Sequence, residues 1–272
     1  MYRTPSDHRF IISTGCLALL LGLSSSFASA AEPDRERATQ LRVKVQEVVK
    51  LQPEPQSEVL VPDFKAYFLS DGSVTISGKA SVRAGAPAQG FDFEVDLENR
   101  TYKTRRLDSS ELEERDRSGQ TLPQLPPLGE QPLQKAIRPG DWRGRVRVQT
   151  KDPVFVVLTE TMTGVTWRVS TAGAVTALSS EDNCWAANPS SLGTHWYVDF
   201  CLYGAPYLNS GRACNANRGD YYNYDYLVPS WETTVVQTAY ICGRNDGFYD
   251  VTWTHNDAGE DSLLIYGSVI TE

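Results

Sequence analysis

No lysine follows Lys151 in this 272-residue chain, and beyond residue 30 the only histidines are His195 and His255. Two histidines cannot build a three-histidine zinc site, and neither belongs to a His-Glu-x-x-His helix. Gly-x-Ser-x-Gly elbows and phosphate-cradling glycine loops are missing too, which removes common signatures of serine hydrolases and nucleotide-binding enzymes. There is no Cys-x-x-Cys pair and no repeat of fixed period. Past Leu23 no apolar run approaches the roughly 20 residues that cross a bilayer as a helix. No cofactor and no metal are therefore expected, and no membrane insertion.

Basic charge is short in one region only. Acids and bases nearly cancel between Ala31 and Ser180, whereas from Glu181 onward about twelve acids face Arg212, Arg218 and Arg244 alone. The net charge of −8 sits almost wholly in that part. A phosphate backbone needs basic neutralisation, so nucleic acid is excluded as an expected partner, as is an anionic membrane surface.

What is present begins with an export signal. Arg3 and Arg9 precede an apolar run from Ile11 to Leu23, and small residues lead to Ala28-Ser29-Ala30. A basic start, a short apolar core and an Ala-x-Ala end predict a secretory signal peptide over 1–30. Its removal takes Cys16 away and leaves Cys184, Cys201, Cys214 and Cys242. An even cysteine set in an exported chain reads as a disulfide framework in an oxidising compartment, secreted or periplasmic. Four cysteines allow three pairings. If Tyr221–Tyr226 and Thr233–Ile241 form a hairpin, Cys214 and Cys242 meet at its open end, and Cys184 pairs with Cys201.

The patterning is mainly β. Phe64 to Leu69, the turn Asp71-Gly72 and Val74 to Val82 read as a hairpin. Phe91, Phe93, Val95 and Leu97 alternate with four acids, as in a half-buried strand. Residues 34–51 fit both helical and strand periods, with helix preferred. Ser110 and Glu113 suggest a capping box opening one short charged helix. Thr121 to Pro139 carries five prolines, so 120–139 reads as a linker between a β-rich region at 31–119 and a second domain at 140–272, with a long crossing loop of a single domain as the alternative. In that domain Trp142–Val148, the apolar run Val154–Leu158, Val165–Val169 and Ala174–Leu178 read as strands. On the next one Trp196, Val198 and Phe200 share a face opposite His195, Tyr197 and Asp199. Thr233–Ile241, Phe248–Thr254 and Leu263–Val269 should form an antiparallel meander. The expected architecture is an antiparallel β-sandwich or barrel-like C-terminal domain with two disulfides, preceded by a smaller β-rich N-terminal region.

Candidate functional residues are few. Period-2 geometry puts Tyr222, Tyr224 and Tyr226 on one strand face with Trp231 nearby. The preferred reading is that this face turns to the core with its hydroxyls hydrogen-bonded, and the alternative is an exposed row of rings suited to sugars or to a cell-surface protein. Arg218-Gly219-Asp220 has the composition of an adhesion tripeptide but reads as an ordinary loop or strand entry. His255 reads as flanking the turn Asn256–Gly259. Scattered carboxylates (Glu232, Asp250, Asp257, Glu260, Asp261) and the pair His195 and Asp199 would be the raw material of a hydrolase. Positions four apart on a strand are about 13 Å apart, too far for His195 to bond Asp199. Asp257, Glu260 and Asp261 lack the spacing of a calcium loop. A secreted, non-catalytic binding module is the expected function, with a secreted hydrolase as the alternative.

Overall fold

β-Branched and aromatic residues at alternate positions drive nearly the whole chain into strands. The computed structural model describes residues 44–58, 64–116, 137–153, 156–187, 194–225, 232–258 and 264–272. The expected signal segment and most of the proline-rich stretch lie outside them. In chain order the elements are β1 (Val45–Lys50), β2 (Gln52–Pro53), β3 (Lys65–Leu69), β4 (Val74–Arg83), β5 (Gln89–Asp96), β6 (Thr101–Arg106) and α1 (Ser109–Asp116). There follow β7 (Gly140–Lys151), β8 (Val157–Val169), β9 (Val175–Ala186), β10 (Thr194–Leu202), β11 (Tyr207–Asn209) and β12 (Arg212–Asp225). The last are β13 (Glu232–Gly243), β14 (Phe248–Ala258) and β15 (Leu264–Thr271).

Two sheets result, and neither closes into a barrel. The first runs β1-β3-β4-β14-β13-β12-β10, with β11 also on β12; the second runs β2-β6-β5-β15-β7-β8-β9. Their inner faces enclose one apolar cluster that includes Phe64, Phe93, Trp167, Tyr249, Val251 and Trp253. Side chains approach closely enough that a Cβ at Gly78 would collide with the Trp253 indole, and one at Gly243 with Trp167. Glycine in these strands makes room for a neighbouring ring.

Both long edges are joined covalently. At one, β1 leaves the first sheet through buried Leu51 and continues as β2 in the second. At the other, Cys184 on β9 is bonded to Cys201 on β10, Cα atoms 5.9 Å apart. Cys214 and Cys242 are direct register partners on β12 and β13 and form the second bridge. Both expected pairings are therefore present.

Several expectations are corrected. A boundary at 120–139 does not divide the fold: β14 pairs with β4 and β15 with β5, so both sheets draw strands from either side of the proline stretch. Residues 45–50 are strand, not helix, because Val48 and Val49 pair with Tyr67 and Ala66 of β3 and that edge overrides the weak helical stripe. The expected meander stops after β14; the chain then crosses layers, and β15 sits between β5 and β7. The helix is capped two residues early. Asp108 Oδ1 accepts the Glu111 N–H at 2.9 Å and Glu111 Oε2 accepts the Asp108 N–H at 2.9 Å, so the box is Asp108-x-x-Glu111. Of the expected strand Val154–Leu158, Val154 and Phe155 lie outside the described residues, Val156 is exposed with its N–H bonded to Asp152 Oδ1, and β8 begins at Val157.

Candidate functional site

Alternation along β12 sorts its tyrosines. Tyr221 turns inward, 2 % exposed, with its hydroxyl 2.7 Å from Thr161 Oγ1 and donating to the Glu160 carbonyl at 2.5 Å. Tyr222 turns outward and stacks on its register partner Tyr197 of β10, ring centres 5.1 Å apart and planes 19° apart. The His195 ring lies 6.4 Å from that of Tyr197 on the same outward face. Tyr224 opposes His195 in register; Tyr226 and Trp231 lie outside the described residues, as do Glu260 and Asp261.

A bulge between Val198 and Phe200 changes the facing of β10. Trp196 points inward, but the extra residue moves Phe200 onto the outward side with His195 and Tyr197, where alternation alone had put it opposite them. Asp199 is left exposed in the bulge. Beyond the tyrosines the outward face is rich in hydroxyls. Thr238, Thr254 and Ser77 lie side by side on β13, β14 and β4, and the two threonine hydroxyls bond each other. Charges on this face are neutralised locally. Arg218 bonds Asp220 through Nε at 2.6 Å, so the Arg218-Gly219-Asp220 tripeptide is strand interior rather than a loop. Asp250 is held by Arg212 and Arg244 at 3.0 and 3.1 Å.

Among the described residues the carboxylates considered for hydrolysis do not gather. Asp199 and Asp250 sit on different strands, Asp257 lies on the inward side of β14, and Glu232 opens β13. Among the described residues no group of three or more His, Cys, Asp or Glu comes together. His255, expected beside a turn, is instead fully buried within β14. Burial alone holds its imidazole down at about 4 and pushes Asp257 up to about 6. The signal for this was the alternation Val251, Trp253, His255, Asp257, which continues the apolar face of the strand into polar residues.

Between the sheets near β9 lies a second polar group. Asn215 Nδ2 donates to Thr163 Oγ1, to the Gly164 carbonyl and to Asp182 Oδ1 at 2.9, 3.2 and 3.0 Å. Burial raises Asp182 despite those bonds.

No protein family, curated protein or solved structure matches the chain.

Proposed function

We propose that the protein is an exported, non-catalytic binding module that takes glycan on the outward face of its first sheet. The observation that carries this reading is the Tyr197–Tyr222 stack on a sheet face that also carries the hydroxyls of Thr238, Thr254 and Ser77. Tyrosine rings offer apolar area to the C–H faces of a sugar, and their hydroxyls, with neighbouring threonines, exchange hydrogen bonds with it. The Arg218 guanidinium on this face is already bonded to Asp220, so it is not offered to an anionic ligand. The two disulfides fit an oxidising compartment such as the cell exterior. A hydrolase reading finds no comparable support among the described residues, where its carboxylates are dispersed.

A glycan array probed with the protein tests this. Tyr222→Ala and Tyr197→Ala should each weaken binding about tenfold, the worth of one aromatic contact, while thermal stability changes by about 1 kcal/mol or less. Absence of glycan binding by the wild type, or unchanged binding in both variants, would remove the proposal.

A further inference from the structure

The inward side of β14 places His255 and Asp257 two residues apart on one strand face, about 7 Å along it. On β13, Gln237 is the direct register partner of His255. Gln237 and His255 are both 0 % exposed. Gln237 donates Nε2 to Thr150 Oγ1 of the facing sheet at 2.9 Å, which turns its Oε1 the other way. That Oε1, both ring nitrogens of His255 and Asp257 Oδ1 are shut off from solvent and have no hydrogen-bond partner among the described residues. Isolated buried polar atoms are uncommon in native interiors, and each calls for an explanation. Here three adjoining side chains share the condition.

Their chemistry is lopsided. An amide oxygen, a carboxylate oxygen and one nitrogen of a neutral imidazole are acceptors, against a single ring N–H donor. A guest that satisfies all of them must bring positive charge or several donors. We propose that Gln237, His255 and Asp257 form a buried site for one divalent transition-metal cation of the zinc class, held by an imidazole nitrogen, a carboxylate and an amide oxygen. Imidazole selects this class over calcium and magnesium, which prefer oxygen alone. The surroundings agree with the assignment. His255 is fully buried, and no cation among the described residues pairs with Asp257 Oδ1. The Phe93 ring meets the imidazole edge-on, 6.1 Å between centres, and limits its tilt. Binding displaces a proton from Asp257 wherever that carboxyl is protonated. This site lies on the opposite face of the first sheet from Tyr197 and Tyr222, and neither reading depends on the other.

The untagged protein, stripped with a chelator, is titrated separately with Zn²⁺, Co²⁺, Ca²⁺ and Mg²⁺, reading the thermal midpoint, calorimetric stoichiometry and, for Co²⁺, visible absorption. One Zn²⁺ or Co²⁺ per chain should bind and raise the midpoint, with Ca²⁺ and Mg²⁺ inert. Asp257→Asn should weaken Zn²⁺ at least tenfold while remaining folded without metal, because it replaces a carboxyl with an isosteric neutral group. Gln237→Leu should weaken it too, and His195→Ala should leave it unchanged. No Zn²⁺ response in the wild type overturns the proposal and leaves internal water as the occupant. So does a response that survives Asp257→Asn, or one that is lost in His195→Ala.

Discussion

The sandwich is filled in two different ways along its width. Beneath β3, β4 and β14 the interior is aromatic: the Phe93 ring stacks on Trp253 at 5.3 Å, and Phe64 meets Trp253 edge-on at 5.3 Å and Tyr102 face-on at 4.7 Å. Beneath β12 and β10 the inward positions are largely amide and hydroxyl. There Asn217 Nδ2 donates to the Met162 and Asn183 carbonyls at 2.7 and 3.1 Å, Thr163 donates to Asp182 at 2.7 Å, and the apolar cluster shrinks to Trp196, Tyr221 and Val235. The Cys184–Cys201 bridge spans the layers on this side. Two sheets can thus be held in register where apolar area is scarce, provided directional bonds cross between them and a covalent link limits how far they part. Area burial is proportional and forgiving, whereas a hydrogen-bonded layer depends on every member keeping its partner.

The largest expected effect breaks the aromatic side. Trp253→Ala removes a ring that is 1 % exposed and should cost about 3–5 kcal/mol in urea unfolding, the range for deleting a large buried aromatic. Asn217→Ala on the polar side should cost about 1–3 kcal/mol, since it removes a buried amide that donates to the Met162 and Asn183 carbonyls across the layers. Equal costs would mean that the two halves are not held differently.

Removing the bridges sharpens the contrast on the polar side. Replacing Cys184 and Cys201 with serine should cost about 2–4 kcal/mol, as should replacing Cys214 and Cys242. Location separates them. Cys214 and Cys242 join strands that are already paired along their whole length, so their loss should leave amide protection nearly uniform. Cys184 and Cys201 join different sheets, and their loss should speed hydrogen exchange selectively in β9 and β10. Identical exchange patterns in the two double variants would place no special weight on the inter-sheet link.

Much of this architecture was legible because it is written in period two. The alternation in β5, the turn at Asp71-Gly72 and the hairpin that brings Cys214 beside Cys242 follow from local rules. Topology was not legible. Nothing local distinguishes the β13–β14 turn, which stays in one sheet, from the β14–β15 connection, which changes sheets, because that choice is made by β4 and β5, some 160 or more residues earlier in the chain. The prolines at 120–139 suggested a domain boundary for the same reason: composition reports the connection, not the distant strands that pair across it. Polar residues misled in another way. Asp92 reads as the outward half of an alternating strand, yet it is 1 % exposed and ion-paired with buried Lys151. Parity separated Tyr222 from Tyr221 on β12 but did not say which of the two faces outward, and the stacking partner of Tyr222 required the register of β10 on β12. His255 was mistaken for a turn residue because β14 runs on past Thr254, where apolar content ends.

The smallest expected effect lies in the unmodified, metal-free protein and concerns pH. His255 is held down at about 4 in the folded state against 6.5 as its ordinary value. Its contribution is therefore fully present above 6.5 and is lost as pH falls toward 4, at up to about 1.4 kcal/mol per unit. Asp257 is pushed up to about 6 from 3.8, so its contribution is present below 3.8 and is lost as pH rises toward 6. Between pH 4 and 6 the two slopes have opposite sign, and together they should change stability by only about 1 kcal/mol or less. Single variants expose what the wild type conceals. With chelator present, the stability of wild type minus Asp257→Asn should fall as pH rises through this window, and that of wild type minus His255→Gln should rise. Two parallel differences, or two flat ones, would mean that these residues do not share a dry polar pocket between the sheets.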